Sequence, residues 1–101
     1  MSINGVSFKG TLIVNDCKNG RDYYLNSDRI IGMKANADKT EIKYDLPQEI
    51  RENGKTYYVP KIYTVGLDID TVLNAYNAVK NNNIEVNLSS VETRDCNKHS
   101  I

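Results

Sequence analysis

Thr40-Glu41-Ile42-Lys43-Tyr44-Asp45-Leu46 alternates strictly, with Thr40, Ile42, Tyr44 and Leu46 on one side and Glu41, Lys43 and Asp45 on the other. Successive side chains of a strand point to opposite faces, so this stretch reads as a half-buried strand with one solvated side. Ile84, Val86 and Leu88 alternate with Glu85 and Asn87 in the same way. Toward the N-terminus, Val6, Phe8, Leu12 and Val14 share a period of two, with Gly10 a candidate bulge or bend. Asp28 to Ala35 reads as a further strand, joined to the 40–46 strand through Asn36-Ala37-Asp38-Lys39.

Two Asn-Gly pairs, Asn19-Gly20 and Asn53-Gly54, lie between strand-like flanks. Asn-Gly suits a two-residue type I′ hairpin turn, whose central residues both need positive φ. The stretch Asn19-Gly20-Arg21-Asp22-Tyr23-Tyr24-Leu25 is echoed, 34 positions on, by Asn53-Gly54-Lys55-Thr56-Tyr57-Tyr58-Val59. Two readings fit: an internal duplication, or the small vocabulary that hairpins reuse. Pro60 lacks the N–H of a ladder, so the strand through it is an edge strand or breaks there.

One helix is expected from Asp68 to Lys80, where Ile69, Val72, Leu73, Tyr76 and Val79 repeat at helical spacing. Asp68 or Asp70 caps its start, and Asn81-Asn82-Asn83 stops it. The expected class is α+β: an antiparallel sheet of about six strands, curled or barrel-like, with one amphipathic helix. Residues 1–91 form a single domain in this reading, and 92–101 a polar tail. One helix covers only one sheet face, which points to a homo-oligomer that uses the other.

The chain has 101 residues, with 13 Lys plus Arg against 13 Asp plus Glu. A zero balance disfavours bulk nucleic-acid binding, which needs a basic excess, and acidic mimicry of nucleic acid, which needs the reverse. No apolar run approaches a membrane span, and the N-terminus lacks a secretory pattern. The two cysteines, Cys17 and Cys96, are too few and too far apart for a disulfide framework or zinc site. Both are expected as free thiols of a cytoplasmic protein, with one disulfide between them the alternative that spacing cannot argue.

The residues point away from catalysis. The only histidine is His99, near the C-terminus, where a base is poorly held. Phosphate-binding glycine loops and calcium loops are missing, so no cofactor and no metal are expected. The enzyme alternative is Asp28 followed by Glu41-Ile42-Lys43, which resembles the PD-(D/E)xK nuclease motif. That resemblance implies two carboxylates on a magnesium ion and a lysine that helps activate water. Ser27 stands where the motif has proline, and an amphipathic strand accounts for Glu41 and Lys43 without chemistry.

Seven of the eight aromatics are tyrosines, and four of them form two adjacent pairs with basic residues before and after. Arg21, Tyr23, Tyr24 and Arg29 form one candidate binding cluster; Lys55, Tyr57, Tyr58 and Lys61 form the other. Tyrosine buries a large ring while keeping its hydroxyl wet, which suits a protein partner, and it also stacks on bases of a small nucleotide ligand. In each adjacent pair one ring is expected in the core and the other free. Tyr24-Leu25-Asn26-Ser27-Asp28-Arg29-Ile30, with Thr40-Glu41-Ile42 and Gly54 to Val59, resembles small FlbD-type flagellar proteins and phage-encoded proteins of similar pattern. The resemblance implies hairpins followed by a helix. It suggests either a phage or mobile-element inhibitor of host defence, or a structural and assembly protein of a flagellum or virion.

Overall fold

The computed structural model describes residues 9–91. Along the chain run β1 (Thr11–Asp16), β2 (Arg21–Asn26), a 3-10 turn (Ser27–Arg29), β3 (Ile30–Asn36), β4 (Lys39–Glu52), β5 (Lys55–Val65), α1 (Ile69–Asn82) and β6 (Val86–Asn87). This is the α+β class, with six strands in one sheet and a helix after the fifth. The strand order is β2-β1-β5-β4-β3, and β6 pairs with β1. All pairs are antiparallel except β1–β6, where Leu12 and Ile13 lie parallel to Val86 and Asn87. Among the described residues no pairing joins β2 to β3, so the sheet is open.

The alternation around Ile42 holds through Tyr44, whereas Leu46, expected on the same side, is exposed because the register slips between Tyr44 and Pro47. Thr40, Ile42 and Tyr44 are buried, and they lie opposite Val65, Tyr63 and Lys61 of β5. Leu12, Val14 and Leu25 join this face from β1 and β2, and Val72, Ala75 and Val79 of α1 close over it. Burying each Val or Leu side chain contributes about 1.5–3 kcal/mol, so this contact, rather than helix propensity, holds α1. The carboxylate of Asp68 caps α1 by accepting from the Thr71 N–H at 3.3 Å and its hydroxyl at 2.6 Å. Asn83, left-handed at φ 51°, ends it.

Several expectations need correction. Asn53-Gly54 makes the two-residue turn, both residues having positive φ (54° and 76°). Asn19-Gly20 does not: the turn spans Cys17 to Gly20, and only Gly20 is left-handed. The strand expected from Asp28 begins at Ile30, because Asn26 accepts from the Asp28 N–H and winds Ser27–Arg29 into a 3-10 turn. Of the two readings of Gly10 the bend holds: it is a left-handed turn before β1, donating to Ile84 O and accepting from the Ser27 N–H. Cys17 is not a free thiol; it is disulfide-bonded. Cys96, the 92–101 tail, His99 and residues Val6 to Phe8 lie outside the described residues.

Strand β5 does not break at Pro60. Strand β1 meets β5 only at Asp16↔Val65, so at Pro60 the sole partner is β4, and a missing N–H costs no ladder bond toward β1. Pro60 lies opposite Pro47, one step beyond a slip in which Asp45 and Leu46 have no counterparts on β5. Past this slip β4 and β5 continue alone.

Candidate functional site

Six of the eight basic and aromatic candidates gather in two places that cut across the sequence clusters, and Arg21 and Tyr24 belong to neither. The first is a tyrosine nest at the rim of the core. Tyr23 packs against Tyr63 with ring centroids 4.7 Å apart, and Tyr44 meets Tyr63 edge-on at 5.9 Å. The guanidinium of Arg29 lies 5.3 Å from the Tyr44 ring and donates to Asp45 O; Lys61 Nζ lies 5.6 Å from the Tyr63 ring. Tyr44 Oη accepts from the Asn26 N–H at 2.9 Å. Burial above all raises the Tyr63 phenol's pKa, with Tyr23, Tyr44 and Asp16 adding to it and Arg29 opposing. Tyr44 and Tyr63 are buried, so this nest is a structural cluster with two cations at its edge.

Arg21 and Tyr24 do not join it. Arg21 lies opposite Asp16 at the start of β2, while Tyr24, 55% exposed, faces away from the core opposite Ile13. The pair Tyr23-Tyr24 therefore splits as alternation requires. Tyr57-Tyr58 does not, since Tyr57 is 42% and Tyr58 65% exposed. Alternation still puts them on opposite faces, but neither face has a core at that height.

The second place is an arm made of β4 and β5 beyond the Pro47–Pro60 pair. Residues 46–60 contain no buried side chain, and only Ile50 and Val59 are half-buried. Six cross-strand pairs, from Pro47↔Pro60 to Glu52↔Lys55, make it about 20 Å long at the usual strand rise. It helps stretch the described residues to 48 × 36 × 24 Å, with a radius of gyration of 14.6 Å. A compact 100-residue domain has about 13 Å. One arm face carries Gln48, Ile50 and Glu52 opposite Val59, Tyr57 and Lys55; the other carries Glu49 and Arg51 opposite Tyr58 and Thr56. The Tyr57 hydroxyl donates to Glu52, which raises the phenol's pKa, and Arg51 pairs with Glu49 at 3.0 Å. Glu49 and Glu52 balance Arg51 and Lys55, so the arm is neutral and aromatic.

The nuclease residues are not gathered. Asp28 is held by Lys80 of α1 at 2.7 Å, a contact that raises the lysine pKa. Glu41 accepts from Asn36 at 3.0 Å. Glu41 is three residues along β4 from Tyr44, the partner of Ile30, which alone spans about 10 Å of strand. Glu41 and Lys43 do share a face, lining a 160 Å³ recess over Gly32 with Lys34 and Ile62. Among the described residues no group of three or more His, Cys, Asp or Glu is placed to hold a metal ion.

An apolar groove of 310 Å³ runs between the open edge of β3 and α1, lined by Ile30, Ile31, Met33, Ile69, Leu73 and Tyr76. Sequence reading missed this groove, and it missed Tyr44 and Tyr63 as a pair. The signal for the pair was present, since Tyr44 and Tyr63 each lie two residues from a core position, Ile42 or Val65. Among the described residues no helix is long and apolar enough to cross a membrane. Compared with protein-family models, curated proteins and solved structures, the chain finds no match.

Proposed function

We propose that the protein is a non-catalytic binding module that engages a protein partner through the β4–β5 arm. One observation supports this reading most: six consecutive cross-strand pairs, joining residues 47–52 to 55–60, continue the ladder with no buried side chain. An isolated two-stranded ribbon is marginal in water, so its exposed Leu46, Tyr57 and Tyr58 are best explained by a surface they cover. Tyrosines supply rigid contact area with little loss of side-chain entropy, as interfaces favour. Arm neutrality supports a protein over a phosphate-rich partner. Within this reading the resemblance to phage proteins suggests an inhibitor that occupies a component of host defence. Self-association has its own support in the open β3 edge and its apolar groove. A curled sheet is supported by the three-residue link between β2 and β3, which stand at opposite ends of the strand order. The disulfide at Cys17 removes the thiol argument for a cytoplasmic location.

The test compares the protein with its Tyr57→Ala/Tyr58→Ala variant. Both should have the same melting temperature, because neither ring packs in the core. The variant should lose a protein captured by the parent, whereas Arg29→Ala should retain it. A melting temperature raised by a cyclic-nucleotide panel would identify a nucleotide ligand instead. Sedimentation of the protein alone distinguishes a second copy from a foreign partner.

A further inference from the structure

Asn19-Gly20 and Asn53-Gly54 are the same dipeptide in two surroundings, and the dipeptide carries a reaction of its own. The side-chain amide of an asparagine lies one ring closure from the backbone nitrogen of the next residue. Glycine leaves that nitrogen uncrowded. Around Asn19 every participant is held. Its Oδ1 accepts from the Arg21 N–H at 2.9 Å, and its Nδ2 donates to Tyr23 Oη at 2.9 Å. The Gly20 N–H, the nitrogen that would attack, donates to Asp16 O at 2.7 Å. Around Asn53 the described residues offer no bond to the amide and none to the Gly54 N–H. Both pairs are exposed, and neither glycine has an atom beyond its chain neighbours within 4 Å of where a β-carbon would sit, so the hydrogen bonds alone set the two sites apart.

We propose that Asn53 is a site of spontaneous deamidation, which turns the neutral arm tip anionic, and that the fold protects Asn19 from the same change. The Gly54 nitrogen, losing its proton, attacks Asn53 Cγ. A Cγ–N bond forms, the Cγ–Nδ2 bond breaks, and the amide nitrogen departs as ammonia with that proton. Water then opens the resulting succinimide at either carbonyl, leaving a carboxylate as aspartate or isoaspartate. Water is the only co-reactant. Attack requires the two-residue turn to rotate open, and this disturbs only the arm's own ladder, since nothing packs on the tip. The new charge joins Glu49 and Glu52 against Arg51 and Lys55. Isoaspartate also lengthens the backbone, so a two-residue I′ turn no longer fits.

The test incubates the intact protein at neutral pH and physiological temperature, with parallel samples in concentrated urea. Peptide mapping follows the mass gain and isoaspartate at each Asn-Gly; it separates Asn4-Gly5, which lies outside the described residues. In the folded protein Asn53 should convert faster than Asn19 by on the order of tenfold, the protection expected of hydrogen bonds that must first break. In urea the two rates should converge. Equal rates in the folded protein, or a faster Asn19, would overturn the proposal. A tenfold gap that persists in urea would overturn it too, because the cause would then be local sequence and not the fold.

Discussion

The hairpins β1–β2 and β4–β5 start from nearly the same seven residues and end in different physical situations. At the first, Asp16 O accepts from the N–H groups of Asn19 and Gly20, and its carboxylate accepts from the Lys18 N–H at 3.0 Å. Asn15 reaches across to Gly20 O and to Asp22. Leu25 closes that hairpin at 1% exposure. Its counterpart 34 positions later, Val59, is half-buried on an arm with no core beneath it. At the same offset Ile31-Gly32-Met33 falls opposite Val65-Gly66-Leu67, and these also part: the first lies inside β3, the second at the end of β5 on the way to α1. Shared sequence thus sets the local strand and leaves burial to whatever lies alongside.

The largest test of that contrast is a pair of truncations. Leu25→Ala should destabilise the fold by about 2–5 kcal/mol, the cost of a cavity among Leu12, Val14 and their neighbours. Val59→Ala should cost no more than about 1 kcal/mol. Chemical denaturation reads both; equal losses would show that the arm belongs to the core.

The glycines of the two turns give a smaller and sharper comparison. Each is left-handed with open space around it, so alanine at either position carries about 1–2 kcal/mol of backbone strain. Gly20→Ala should lower the melting temperature by several degrees. Gly54→Ala should leave it nearly unchanged, because the arm opens on its own before the core unfolds. Native-state hydrogen exchange makes the same distinction in the parent protein. Amides of residues 48–58 should exchange far faster than those of β1. Protection of the arm equal to that of β1 would contradict separate opening.

The smallest effect concerns α1, which covers the first hairpin and not the arm. Hydrogen bonds from the Thr71 hydroxyl and N–H hold the Asp68 carboxyl below its ordinary value of 3.8. A folded pKa below the unfolded one gives stability that is present above the unfolded value and lost as pH falls through the folded value. Acid titration should therefore weaken α1 in that window, and Asp68→Asn, which caps without titrating, should flatten this part of the curve. The arm's circular-dichroism contribution should not follow it.

Much of the fold was legible from residue spacing because period two and period 3.6 record burial directly. Strand 40–46 and the helix from Asp68 are plain for that reason. Of the arm only the Asn53-Gly54 turn was legible, because Gln48 to Lys55 has no buried face to impose a period and Pro60 left open an edge strand or a break. Geometry the alternation cannot encode was also hidden: that Arg29 and Lys61, 32 residues apart, flank one tyrosine nest. The Cys17 disulfide was illegible for a simpler reason, since sequence distance between two cysteines carries no information about proximity.

The Pro47–Pro60 pair and the two unmatched residues before it act together as a mechanical joint. Two prolines facing each other supply no N–H at that rung, and a slip such as that at Asp45-Leu46 bends a strand and increases its local twist. The aim of the arm is thus written in four residues that do not enter the core. Lengthening or shortening the slip would swing the tip through a wide angle at almost no cost to the body. If the arm is the contact surface proposed above, changes at these four residues would redirect it without rebuilding the core.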